Sequence, residues 1–250
     1  MVGLNRQQLI DRIMDGQAIL ANGPVIPGTW AYFEGLNNYE FDPDEAVSLL
    51  KSVDFTVPAE GGSIRENESG PLAFTMVYPD DPLHTELALA IQTQWARVGA
   101  DVSLEAVPLE TLIEDYLDTG NYEAALVDLN LSRYPDPDPY PFWHQAQITN
   151  GQNYARWDDR PASEYLEQAR IIVELDERAR LYRNFQVRFS RELPALPLFY
   201  PVYTYGVDEE VQGIRLGPIF EPSDRFLQVN NWYLLARVSL EEVVTPTPTN

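Results

Sequence analysis

Apolar residues recur at helical spacing in residues 4 to 15, where Leu4, Leu9, Ile10, Ile13 and Met14 share a face that ends at Gly16. A Gly/Pro-rich passage, Gly23 to Trp30, reads as ordered loop. Asp42-Pro43-Asp44-Glu45 then opens a helix through about Val53, with aspartate as N-cap and proline at the first position. Residues 58 to 70 are polar and contain glycine, which predicts a loop. Leu72 to Tyr78 reads as a strand, Leu83 to Val98 as a helix closed by Gly99, and Val102 to Val107 as an alternating strand. Leu109 to Leu117 predicts a second helix ending at Gly120, and Tyr122 to Leu131 a third strand with an apolar centre. Strand, helix, strand, helix, strand at this spacing is a βαβαβ unit, and right-handed crossovers make its strands parallel. The carboxyl ends of its first and third strands, Tyr78-Pro79-Asp80-Asp81 and Asn130 to Asp138, therefore share one sheet edge. Open α/β sheets bind their ligands at that edge.

The segment Asn130-Leu131-Ser132-Arg133-Tyr134-Pro135-Asp136-Pro137-Asp138-Pro139-Tyr140-Pro141-Phe142-Trp143 packs four prolines into seven residues. Proline fixes φ and donates no hydrogen bond, so the stretch predicts a stiff surface loop rather than helix or sheet. It concentrates aromatic rings, carboxylates and an arginine, which suits stacking platforms for a ligand. Beyond it, Ala162 to Val173 and Glu177 to Leu193 read as helices joined at Asp176 as N-cap. Leu196 to Tyr205 is strongly β-forming, and Pro201 within it predicts an edge strand or a crossover. The last residues, Val243 to Asn250, have the composition of a disordered tail.

Composition narrows the function classes. With 44% hydrophobic and 12% aromatic residues the chain is globular rather than a disordered acidic polymer. Its formal charge of -22, from 39 acidic against 17 basic residues, would repel nucleic acid. The absence of cysteine removes disulfides, thiolate metal sites and cysteine nucleophiles from these residues. No cofactor motif appears: there is no P-loop and no Gly-x-Gly-x-x-Gly, and His84 and His144 lack metal-ligand partners at helical spacing. Two of Asp80, Asp136 and Asp158 could serve as paired carboxylates of a carbohydrate-active hydrolase, though such acids in a proline-rich loop are more often turn formers and caps. No secretory signal is visible. The helical pattern begins abruptly after Met1, as expected of a chain cut from something longer.

Several short motifs follow one another in a distinctive order: Asn5-Arg6-Gln7-Gln8-Leu9-Ile10, Gly23-Pro24-Val25-Ile26-Pro27, and Asp42-Pro43 with Ala46, Leu49 and Leu50. They continue with Trp95 to Gly99, Tyr134 to Pro137, Asn153-Tyr154 before Trp157, then Asp176, Arg180, Tyr182 and Gln186, and Leu193-Pro194-Ala195-Leu196-Pro197-Leu198. Over residues 4 to about 235 the chain resembles the C-terminal half of family 5 solute-binding proteins of ABC importers, the group of oligopeptide-, dipeptide- and nickel-binding proteins. The resemblance implies an α/β fold: a periplasmic-binding-protein-like lobe with the βαβαβ core, plus C-terminal strands that would pack on an N-terminal lobe the chain lacks. It divides the chain into residues 1–37 near the inter-lobe hinge, 38–205 as the ligand-binding lobe, 206–238 as a return segment and 239–250 as the tail.

The implied function is extracytoplasmic capture of a peptide or other small solute and its delivery to ABC permease subunits, with no chemistry, no cofactor and no nucleic acid. The implied ligand-binding residues are Tyr78, Asp80, Arg133, Tyr134, Asp136, Trp143, Asn153 and Tyr154. Alignment through the motifs sets Tyr78 where dipeptide-binding members offer an arginine to the peptide carboxylate, and Arg133 where they offer an aspartate to the amine. A zwitterionic dipeptide would leave both ends unpaired in a closed cleft, a cost of several kcal/mol. A longer peptide held by its backbone, or an oligosaccharide stacked on the rings, is expected instead.

Overall fold

The computed structural model describes residues 1–131, 136–215 and 222–235. Asn5 accepts a hydrogen bond from the Gln8 N–H and so opens α1 (Arg6–Ile13). Beyond the left-handed residues Asp15 and Gly16 the chain extends into β1 (Ala18–Leu20). Asp42 accepts from the Glu45 N–H and Pro43 follows, the predicted cap of α2 (Pro43–Ser52). A short hairpin of β2 (Glu66–Asn67) and β3 (Gly70–Pro71) occupies the region predicted as loop. Next come β4 (Ala73–Pro79), α3 (Pro82–Ala96) with Asp81 as N-cap, and β5 (Asp101–Val107). Gly99 between α3 and β5 has φ +96, and a Cβ there would lie 2.6 Å from Arg65 Cγ, so the turn requires glycine.

β4 pairs in parallel with β5 along its full length and with β6 (Ala124–Ala125) on its other side, giving the order β5-β4-β6. The parallel unit is as predicted, but the third strand is far shorter than Tyr122 to Leu131. The Glu123 carboxylate takes the Thr75 N–H at 2.7 Å, and after Leu126 the chain turns away to lay Leu129 and Leu131 against a different core. The helix predicted at 109–117 also differs in kind. One turn of α4 (Leu109–Thr111) passes into a π-helical segment, Leu112–Leu117. Leu112 and Leu117 are five residues apart, a spacing that an α-helix of about 3.6 residues per turn sets on different faces. The wider turn lets both pack with Val77 and Val107, and Asp118 N–H bonds Ile113 O at 2.9 Å in the i to i+5 pattern.

The sheet thus carries α1 and α3 on the side of Met76, Leu87, Ile91 and Val102, and the π-helical segment on the side of Val77. A separate core forms between α7 (Arg160–Ile171) and α8 (Leu175–Glu192), which follow the short helices α5 (Tyr140–Trp143) and α6 (Gln147–Asn150). Leu166, Tyr182, Phe185 and Phe189 are almost wholly buried there. Both long helices start earlier than predicted. Asp159 caps α7 by accepting from the Ala162 N–H. Asp176 lies inside the first turn of α8 rather than capping it.

Of the predicted strand 196–205, only β7 (Phe199–Pro201) pairs, antiparallel to β1. Its partner is three residues long, and single backbone bonds flank the pair, Ala21 N–H to Leu198 O at 3.3 Å and Val202 N–H to Gln17 O at 2.9 Å. A second unit begins at Tyr203. In it β8 (Val211–Gln212) pairs with β9 (Tyr233–Leu234), and the Arg225 guanidinium lies 4.6 Å from the Phe226 ring centre and 5.0 Å from that of Tyr205. The tail, 239–250, lies outside the described residues.

Candidate functional site

Because β4 and β6 are parallel neighbours, their carboxyl ends open on one edge of the sheet. Asp80 follows β4 with its N–H on Val107 O at 2.9 Å and its side chain exposed. Asp81 caps α3 through one oxygen, 3.0 Å from His84 N, and holds His84 Nδ1 at 2.6 Å with the other. His84 Nε2 stands 3.4 Å from Asp128 Oδ2, just beyond β6, so one buried imidazole bridges the ends of two strands. The His84 backbone N–H is the main reason the Asp81 carboxyl titrates below the usual range; burial opposes it and the His84 ring adds to it. The sequence predicts His84 in the first helical turn, without a metal-ligand partner at helical spacing. Its Asp81 contact is local, but Asp128 is brought in only by strand pairing. Tyr78, two residues before Asp80, is buried instead: it is 6% exposed and packs with Met76 and Leu87.

The proline-rich loop is fastened to the helical pair by its two aspartates. Asp138 Oδ2 meets Arg170 Nε at 3.0 Å and Nη2 at 2.9 Å. Asp136 Oδ2 accepts from Arg178 Nη2, and Arg178 also donates through Nε to Ala169 O at 2.8 Å. Its guanidinium lies over the Trp30 ring, 4.9 Å from the centre. Arg170 caps a stack in which Tyr140 lies 3.9 Å beneath its guanidinium carbon and His144 lies 4.0 Å from Tyr140. Beneath them Tyr182 is buried, and that burial, followed by the nearby carboxylates of Asp136 and Asp138, pushes its hydroxyl up to about 12. Arg133 and Tyr134 lie outside the described residues.

The remaining expected site residues serve as supports. Trp143, 5% exposed, meets Phe189 edge-on at 4.7 Å in the helical core. Within the loop, the turn of α5 swings Phe142 and Trp143 inward. Asn153, 1% exposed, donates to His144 O at 3.2 Å and Trp157 O at 3.0 Å and accepts from Trp157 N at 3.1 Å, so its amide is fully used in bracing the backbone. Tyr154 is half-buried beside the Val77 and Val107 cluster, its carbonyl taking the Tyr122 hydroxyl, and burial raises the pKa of its own hydroxyl. Asp80 and Tyr154 therefore belong to the sheet, whereas Asp136, Trp143 and Asn153 belong to the helical pair.

Two surface depressions, of about 180 and 330 Å³, lie around Arg6 and Tyr39 and around Val2 and Glu45, away from the sheet edge. Among the described residues no group of three or more His, Asp or Glu side chains is placed to hold a metal ion. The same residues contain no helix long and apolar enough to cross a membrane.

The family model described as "Bacterial extracellular solute-binding proteins, family 5 Middle" matches residues 1–151. The chain is 21% identical over 235 residues to the oligopeptide-binding protein AppA of Bacillus subtilis (strain 168), covering 92% of this chain and 42% of that protein. It is 24% identical over 218 residues to the dipeptide-binding protein of Escherichia coli (strain K12), covering 86% and 39%. The chain thus spans about two-fifths of the length of these relatives. The solved structure of Bacillus subtilis AppA in complex with a nonapeptide superimposes with a TM-score of 0.75 at 20% identity, over 94% of this chain and 46% of that one. That likeness establishes a shared fold.

Proposed function

Since the chain belongs to family 5 of the bacterial extracellular solute-binding proteins, we propose that it supplies one lobe of a binding protein that captures a peptide outside the membrane and hands it to an ABC permease. The observation that carries this reading is the sheet edge. Asp80, His84 and Asp128 stand at the ends of parallel strands, and the chain continues from β6 into the aromatic loop fixed by Asp136 and Asp138. Asp80 and Tyr154 are proposed to face the ligand together with Arg133 and Tyr134, on a loop that Asp136 anchors. Tyr78, Trp143 and Asn153 hold the scaffold behind them.

A second lobe, contributed by residues outside this chain, would close over the cargo by a hinge motion. Residues 1–37 would lie near that hinge and 38–205 would form the ligand lobe. The return segment, 206–238, would pack on the second lobe, a role supported by the exposure of Leu227 (70%) and Leu234 (71%). Reversible capture needs no catalytic group. Of the three acids on which a paired-carboxylate hydrolase could draw, Asp136 is already engaged by Arg178.

The cargo is a peptide longer than two residues, since Tyr78 and Arg133 replace the charged partners that a dipeptide's ends require. The test is to incubate the intact protein with a tryptic digest of casein, separate it by gel filtration and identify the retained fraction by mass spectrometry. Peptides longer than two residues should be retained. A protein that keeps none, or keeps dipeptides in preference, refutes the proposal.

A further inference from the structure

We propose that Arg170 and Arg178, neither of which belongs to the sheet edge, are positioning residues for ligand capture: they set the conformation of residues 136–141 of the proline-rich loop through Asp138 and Asp136. The inference rests on the transport reading above and adds the device that shapes its binding loop.

Prolines at 135, 137, 139 and 141 remove every second backbone donor, so the loop has little capacity to hold itself by main-chain bonds. Among the described residues before α5 it has one internal backbone bond, Asp138 N–H to Asp136 O at 2.9 Å. Between residues 136 and 139 the ties to the helices come from the two aspartates.

Each aspartate goes to a different helix. Arg170 lies in the last turn of α7 and Arg178 near the start of α8, so the two ion pairs grip the loop from both sides of one helical corner. Both guanidiniums are themselves fixed. Arg170 rests on the Tyr140 ring, which rests on His144, and His144 Nε2 is 2.9 Å from Glu167, a carboxylate also held by Arg160 at 2.8 Å. Arg178 is tied to Ala169 O and lies over Trp30. Planar, multiply bonded arginines of this kind are not replaceable by a point charge.

In each pair one partner is shielded, Asp138 at 15% and Arg178 at 17% exposure, while the other, Arg170 at 43% and Asp136 at 41%, reaches solvent. A ligand arriving at the loop would meet a surface already ordered, and less of its binding energy would go into ordering it.

The variants are Asp136→Asn, Asp138→Asn, Arg170→Gln and the exchanged pair Asp138→Arg with Arg170→Asp. The first readout is amide exchange in this chain. Peptides covering 136–144 should exchange about tenfold faster in the single variants, with β4 and α3 unchanged, and the exchanged pair should regain protection. The second is retention of casein peptides by the intact protein, which should fall about tenfold in the same variants and recover in the exchanged pair. Unchanged loop exchange overturns the inference. Faster exchange with undiminished retention overturns the positioning role. If the wild-type protein retains no peptide, the transport reading fails, and the exchange measurement still decides whether the arginines shape the loop.

Discussion

Replacing Asp159 with alanine is expected to lower stability by about 2–3 kcal/mol, because one side chain performs two tasks. It caps α7, accepting from the Ala162 N–H at 2.7 Å, and it takes both Arg188 Nε and Nη2 at 2.6 Å. The Asp159 side chain is 11% exposed, so its removal leaves a partly buried guanidinium and an uncapped helix. The Arg188 bonds, aided by the Ala162 N–H and opposed by burial, hold the carboxyl below the ordinary aspartate range. A carboxyl whose folded pKa is depressed contributes stability that is fully present above the unfolded value. That contribution disappears as the pH falls through the folded value. Urea unfolding should therefore show the full deficit of Asp159→Ala at neutral pH and a shrinking one in acid. An equal deficit at both would mean that the lost side chain acted through packing rather than charge.

The second large effect is expected at Arg6, which is 3% exposed. Its guanidinium gathers neutral acceptors from three separate segments. Nη1 donates to Ala21 O and, at 3.0 Å, to Pro197 O; Nη2 donates to Asn22 Oδ1 and Tyr39 O, both at 3.2 Å. The fork joins α1 to the chain before and after the helical pair. Arg6→Lys keeps the charge but cannot reach four acceptors in two directions, and each carbonyl left unpaired costs about 1–3 kcal/mol. A loss of about 3 kcal/mol is expected, which lowers the melting temperature by about 6–12 °C in a chain of this size. A variant that melts with the wild type would show that charge alone suffices there.

Local signals carried much of the architecture. Asp42-Pro43 and Asp81-Pro82 announce two helices by chemistry that needs only neighbouring residues, and Gly99 marks a turn that no side chain can occupy. Strand length was over-read at Tyr122 to Leu131 and at Leu196 to Tyr205, because β propensity cannot tell how many residues of partner strand exist. Conversely, Ala18–Leu20 is too short to signal a strand and becomes one only by pairing with Phe199–Pro201.

The site divides in the same way. Four prolines make the loop plain in the sequence. The arginines that hold it, however, lie 32 and 42 residues downstream on helices whose placement no local pattern encodes. Trp143 and Asn153 were expected to face ligand from their place in or beside that loop. In the fold, the turn at Tyr140–Trp143 and the bonds to His144 and Trp157 spend both residues on support.

The central claim is that this lobe helps hold a solute reversibly, without altering it. Native mass spectrometry of the intact protein, purified with no ligand added, tests it most directly. The account predicts an adduct of discrete mass that is released intact on denaturation and proves to be a peptide longer than two residues. A protein that flies at its bare mass, or that converts added peptide into fragments, would contradict it.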